Sequence, residues 1–221
     1  MLDVLNQNQV KNNQQNLNLV SQRIVELVNN DDFSFNIDTI KNIHIYLFHD
    51  IYDFAGQFRL CNLTKKEPII NNETVIYADY HEIKNLLFYD FNVEKEKDYK
   101  NLLLDKKAKS FAKFTSDIWQ THPFRDGNTR AIAVFMIKYL NSLGYTINND
   151  NFKANFAYFR NALVLSNYYN RQNDIMPNLE YLTVFYNNLL CNSNDVVDLG
   201  HVMKKKLFWL IISFFSDFFN K

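Results

Sequence analysis

Glycine and proline are scarce in this 221-residue chain, at 4 and 3 residues. They punctuate tight turns and strands, so their scarcity argues against a β-sandwich or barrel and for a helical protein. Cysteine is scarcer still. Two residues rule out a disulfide-dense scaffold, and Cys61 and Cys191, lacking a partner motif, read as buried thiols in a reducing compartment. No excess of charge exists either: 24 basic side chains balance 24 acidic ones. No nucleic-acid partner is therefore expected, although a local site for a small anion is compatible with neutrality. The first fifteen residues, MLDVLNQNQVKNNQQ, lack a basic stretch followed by an apolar run. A secretory signal is thus not expected, and a cytoplasmic location is.

What the chain does have is apolar bulk. Hydrophobic residues make up 47% and aromatics 16%, with 20 Phe. That suffices for one large domain or two small ones with a sizeable core. Residues 1–34 read as a polar, Gln/Asn-rich extension ordered by docking, with a helical pattern from Leu17 to Val28. Ile40, Ile43, His44, Leu47, Phe48 and Ile51 recur at i, i+3, i+4, i+7, i+8 and i+11, which puts them on one face of a helix. Asp38 reads as its N-cap and Gly56 as its C-terminal stop.

From Gln57 to Tyr80 the pattern is irregular. Pro68 and Asn71-Asn72 mark turns, and a β-hairpin is expected over 67–79. Helices are expected again at 81–91, 98–120, 127–143, 150–168 and 178–190. The helix at 127–143 is apolar nearly all round and belongs at the centre of a bundle, with Gly144 ending it. His44, on an apolar face, reads as a core residue; His49, His81 and His201 stand alone.

The carboxyl end, residues 191–221, places Lys204-Lys205-Lys206 before LFWLIISFFSDFF. As a helix, that apolar run spans about 20 Å, short of a bilayer core of about 30 Å. It reads as a segment packing on the domain or on a second copy, as a membrane-surface segment, or as a tail without function.

Between two helical stretches, and directly before the most apolar one, lies Thr121-His122-Pro123-Phe124-Arg125-Asp126-Gly127-Asn128-Thr129-Arg130. The first turn of a helix offers unpaired N–H groups and the positive end of the dipole, which together bind phosphate. His122 can take a proton near neutral pH. Asp126 offers one hard oxygen ligand, as Mg²⁺ bound to substrate phosphates requires. Gly127 permits close backbone approach, Asn128 can donate to a phosphate oxygen, and Arg130 offers a planar fork. Pro123 and Phe124 would fix the loop. These parts suit phosphoryl or nucleotidyl transfer. The plainer alternative is an Asp126 N-cap, a Gly127 turn and a loop histidine.

HPFRDGNTR resembles the signature of the Fic domain family, His-x-Phe-x-Asp/Glu-Gly-Asn-x-Arg. LFHDIYDFAGQFR (47–59) is similar to the family's segment ahead of a flap, and FAYFRNALVLSNYY (156–169) resembles the helix after the central one. The resemblance covers about residues 35–190. It implies an all-α, Fic-type helical bundle with a small β-hairpin flap, and transfer of AMP from ATP to a Ser, Thr or Tyr hydroxyl of a target protein. By position, His122 would be the general base and Asp126 the Mg²⁺ ligand. Phe124, Gly127, Asn128, Thr129 and Arg130 would form the nucleotide cradle. The flap, with Val75, Ile76 and Tyr77, would clamp the target by strand-like pairing.

Two positions depart from the family pattern. Many members have Gly at the place of Thr129, and a second Arg at the place of Ala133. No Ser/Thr-x-x-x-Glu-Gly/Asn inhibitory helix is present; Ser21 and Glu26 come nearest, at the wrong spacing. The resemblance therefore implies an enzyme without that self-inhibition and with a weaker grip on a γ-phosphate. A Doc-like protein kinase, another phosphate-ester transferase and a binding module without turnover stay open, as do an antitoxin or a homodimer as partner and membrane contact through the tail.

Overall fold

The computed structural model describes residues 2–191, which form eight α-helices and one two-stranded hairpin. In chain order they are α1 (Leu2–Val28), α2 (Ile37–Phe48), β1 (Lys66–Glu67), β2 (Glu73–Thr74), α3 (Ile83–Lys95), α4 (Leu104–Thr121), α5 (Asn128–Ser142), α6 (Asn149–Ala154), α7 (Phe156–Leu165) and α8 (Glu180–Cys191). The expectation of a helical bundle with a hairpin flap holds. The apolar tail at 204–219 and His201 lie outside the described residues.

The centre is α5, where every residue from Ala131 to Leu140 is buried. Helices α1, α2 and α4 pack around it. The face of α2 read from the sequence is the buried one: Ile40, Ile43, His44, Leu47 and Phe48. Phe35, Phe91, Phe114, Phe135 and Tyr139 interlock below it, with the Phe35 and Tyr139 ring centroids 4.4 Å apart. The buried Glu94 carboxylate is satisfied there by the hydroxyls of Tyr99 (2.5 Å) and Tyr139 (3.0 Å) and by Lys97 (2.8 Å). Lys138 of α5 donates to the carbonyls of Leu27 (2.8 Å) and Asn30, so a cation closes the C-terminal end of α1.

Several boundaries differ from the sequence reading. Helix α1 takes in the polar stretch from Leu2 onward. The N-cap of α2 is Asn36, whose side chain accepts from Thr39 N (2.9 Å), not Asp38. That helix stops at Phe48, and Gly56 serves instead a later turn at φ +73°. Helix α4 starts at Leu104 because Asp98 caps a local turn at Lys100 N, and Tyr99 leaves that turn to stack on Phe111 at 4.4 Å. The expected 150–168 helix is divided at Asn155, which leaves helical geometry at φ −117°, ψ 13°. Both cysteines are unpaired, as expected, but exposed rather than buried.

The hairpin is short. Lys66 faces Thr74 and Glu67 faces Glu73, with left-handed Asn71 and Asn72 completing the turn. Beyond it Val75 and Tyr77 are buried while Ile76 is 71% exposed, the alternation of a strand with one face on the protein.

Candidate active site

The loop between α4 and α5 is bracketed by two left-handed residues, His122 (φ 47°, ψ 59°) and Gly127 (φ 78°). At Gly127 the conformation and the space both demand glycine. A Cβ there would lie 2.5 Å from Cε2 of the Phe48 ring. Within the loop Phe124 is fully buried, and the Asn128 amide closes a ring on its backbone. Asn128 Oδ1 accepts from Phe124 N (2.9 Å) and Nδ2 donates to Phe124 O (2.7 Å). The amide expected to meet a phosphate is thus engaged in holding the loop's shape.

Two distant residues fasten the loop. His44 stacks on Phe124 with centroids 3.8 Å apart, and its Nδ1 accepts from Gly56 N (2.9 Å). That bond leaves the proton on Nε2, which donates to Asp126 O (2.9 Å). Burial keeps the ring neutral, with its pKa near 4. Arg59 is 2% exposed and spends its guanidinium on main-chain carbonyls: Thr121 (3.3 Å) at the end of α4 and His122 (2.8 Å) at the start of the loop, Cys61 (2.7 Å) and Ala78 (2.5 Å) at the two feet of the flap. Its own N–H donates to Pro123 O (2.8 Å). His44 read only as core, and Arg59 fell within a family-like block without a task. Both contacts bridge more than sixty residues, a separation that local patterns do not encode.

The carboxylate of Asp126 faces the cleft beside the helix start. It accepts from Gly127 N (2.7 Å) and the Tyr52 hydroxyl (3.2 Å) and pairs with Lys65 Nζ (3.2 Å). Burial raises its pKa, but Lys65 and the Gly127 N–H outweigh that and leave it below the usual value. Arg130 lies over the Phe48 ring at 4.9 Å. Thr129 holds Trp119 through its hydroxyl, which accepts from Nε1 (3.0 Å). Ala133, the departing position, is buried inside α5.

His122 is 3% exposed. Its ring lies between Tyr77, stacked at 3.9 Å, and the edge of Trp119 at 5.6 Å. Neither ring nitrogen, nor the Tyr77 hydroxyl, has a hydrogen-bond partner. Burial, reinforced by Lys65 and Arg59, drives the imidazole pKa down to about 3. The expected titration near neutrality therefore does not hold in the free protein. Of the three flap residues singled out, Tyr77 covers the histidine, Val75 is buried and only Ile76 points outward.

A cleft of about 310 Å³ opens at this point. His122, Asp126 and Gly127 through Arg130 form one wall. Lys65 and Glu67 of the flap, Phe156 and Arg160 of α7, Trp119 of α4 and Leu17 of α1 complete it. Glu26, the nearest approach to an inhibitory glutamate, is instead bound by the Tyr46 hydroxyl (2.8 Å) and Gln22 (2.9 Å). No group of three or more His, Cys, Asp or Glu suited to a metal occurs among the described residues. Glu67 being paired with Arg160, a cation beside the α5 start would take the Asp126 carboxylate and draw its other ligands from phosphate and water, a donor set that suits Mg²⁺.

A profile of the Fic/DOC family matches residues 34–140. The chain is 28% identical over 116 residues to the protein adenylyltransferase VbhT of Bartonella schoenbuchensis, covering 52% of this chain and 23% of that protein. It is 29% identical over 131 residues to the probable protein adenylyltransferase y4lH of Sinorhizobium fredii, covering 57% and 62%. The chain thus spans less than two thirds of either relative. Among solved structures it resembles the BepC protein of Bartonella tribocorum, a VirB-translocated effector with bound AMPPNP. That match has a TM-score of 0.63 and 20% identity over 81% of this chain and 86% of that one. The FIC domain of Bep8 from Bartonella sp. 1-1C also scores 0.63, at 15% identity over 85% and 89%. These likenesses are of fold.

Proposed function

We propose, from the match of residues 34–140 to the Fic/DOC family, that this chain is a protein adenylyltransferase that moves AMP from ATP to a Ser, Thr or Tyr hydroxyl of a target protein. One observation carries the proposal: the loop 122–130 holds His122, Asp126 and Arg130 around one cleft at the N-terminus of the buried helix α5. The adenylyltransferase names of two relatives and the AMPPNP in the BepC structure support it.

The geometry supports the following chemistry. The unpaired N–H groups at the start of α5 receive phosphate oxygens, and Arg130 adds a guanidinium. Asp126 would hold Mg²⁺, which supplies charge neutralisation on the phosphates when bound. His122, neutral in the fold, is in the form a general base needs. It takes the proton of the target hydroxyl as that oxygen bonds to the α-phosphorus. The bond from the α-phosphorus to the bridging oxygen breaks and pyrophosphate leaves. Because both ring nitrogens are enclosed, the Tyr77 ring has to move before a hydroxyl can reach them. The flap carries Tyr77, so docking of the target and exposure of the base become one event.

The test is label transfer in a lysate with Mg²⁺ and ATP labelled at the α- or γ-position, beside His122→Ala. The expected result is α-label on protein, lost in the variant. Label from the γ-position would make the enzyme a kinase, and label unchanged in His122→Ala would remove the base.

A further inference from the structure

Glu67 and Arg160 form a charged pair in the cleft that neither the phosphate site nor the base uses. Arg160 Nη2 lies 2.6 Å from Glu67 Oε2, an ion pair without a well-aligned hydrogen bond. The Glu67 side chain is 2% exposed and that of Arg160 39%. Burying an ion pair is a costly way to fix a hairpin. This hairpin is fixed elsewhere, by Glu73 accepting from the Tyr168 hydroxyl (2.5 Å) and Asn170 (3.1 Å), and by Arg59 and Gln120 at Ala78.

The position of the pair relates it to a nucleotide. Lys65 touches Asp126, at the phosphate end. Glu67 lies two residues further along the same edge of the flap and turns to the same side, the intervening Lys66 being exposed. Two extended residues advance about 7 Å, which exceeds the step between neighbouring phosphates and matches the reach of a ribose from phosphate to base. Beside the pair the cleft is lined by Leu17 and by Phe156, one turn before Arg160 on α7. Apolar surface for a flat ring, with polar groups confined to one edge, is what a nucleobase requires.

We propose that Glu67 and Arg160 read the edge of a 6-aminopurine. This rests on the nucleotidyl-transfer function proposed above and assigns its base specificity. A carboxylate only accepts and a guanidinium only donates. Side by side they match an exocyclic amino group next to a ring nitrogen lone pair, as adenine presents. A 6-oxo purine held by the same phosphates sets an oxygen against the Glu67 carboxylate. Glutamine at 67 can turn either its oxygen or its nitrogen toward the base.

The experiment is calorimetric binding of ATP, ITP, ADP and AMP with Mg²⁺ to the full chain and to Glu67→Gln and Arg160→Gln. The wild type is expected to favour ATP over ITP by about tenfold or more, and Glu67→Gln to bring the ratio close to one. Arg160→Gln is expected to weaken ATP, ADP and AMP by the same factor. An ATP/ITP ratio indifferent to Glu67→Gln would overturn the proposal, leaving the pair a mechanical tie between flap and α7. A loss in Arg160→Gln that grows with phosphate number would overturn it too, making Arg160 a phosphate ligand. Failure of the wild type to bind any nucleotide would sink the transfer function as well, an outcome distinct from a ratio that ignores Glu67.

Discussion

Tyr77→Ala tests the enclosure of His122 directly. In the fold that imidazole is held at about 3, against about 6.5 in an unfolded chain. Between those values the unfolded chain binds a proton that the folded one refuses, so stability is lost as pH falls below about 6.5. From pH 7.5 to pH 5.0 this amounts to about 2 kcal/mol for His122. His44, held near 4 by burial, adds a further loss of about 2 kcal/mol over the same interval. The wild type should therefore lose about 4 kcal/mol between these two pH values from its buried imidazoles. Removing the Tyr77 ring admits water to His122 and leaves His44 untouched. The variant should be less stable at pH 7.5 by about 3 kcal/mol through lost packing, yet lose only about half as much on acidification. Guanidinium denaturation at pH 7.5 and 5.0 measures both quantities. A ring-proton NMR titration reads His122 itself, whose midpoint should climb toward 6.5. An imidazole still titrating below 4 in Tyr77→Ala, with the full acid loss retained, would refute the reasoning: Trp119 and the neighbouring cations would then be the true cover.

Three other substitutions probe the scaffold of the loop. His44→Phe keeps a ring on Phe124 but strands the Gly56 N–H and the Asp126 carbonyl; it should cost about 2–4 kcal/mol in chemical denaturation and weaken Mg²⁺–nucleotide binding by calorimetry. Gly127→Ala places a methyl against Phe48 at a positive φ and should cost about 2 kcal/mol or more, with a lowered Tm and impaired nucleotide binding. Arg59→Met removes the donors to four carbonyls and should cost about 3 kcal/mol or more. Arg59→Lys should recover little of this, because one ammonium cannot span both feet of the flap and the loop; thermal melts of the two variants decide it.

Local patterns made much of this molecule legible. The apolar face of α2 and the all-round apolarity of 131–140 announced a helix on a central helix, and both are buried as read. The loop at 122–130 was legible because its residue types are chemically unusual in one short run. Where the reading missed, a tertiary contact had overruled a local signal. Gly56 looked like the stop of α2, but its N–H is needed by His44 in a turn eight residues beyond the helix end. Asn128 looked like a phosphate donor, but its amide matches the backbone of Phe124. The acidity of His122 depends on Tyr77 and Trp119 closing over it, which no spacing reveals. Arg160, like Arg59, fell within a family-like block without a task; it joins the cleft only because α7 folds against the flap.

The Arg59 clamp has a consequence for how such a protein can change over time. One guanidinium secures both ends of the stretch 61–78 and, through the same planar group, the residues where α4 passes into the loop at 122–130. A change confined to the hairpin tip, between Glu67 and Glu73, leaves both of these anchors in place. On the function proposed above, a foreign tip grafted between the same two anchors should therefore leave the loop at 122–130 folded while changing the surface the flap offers to a partner.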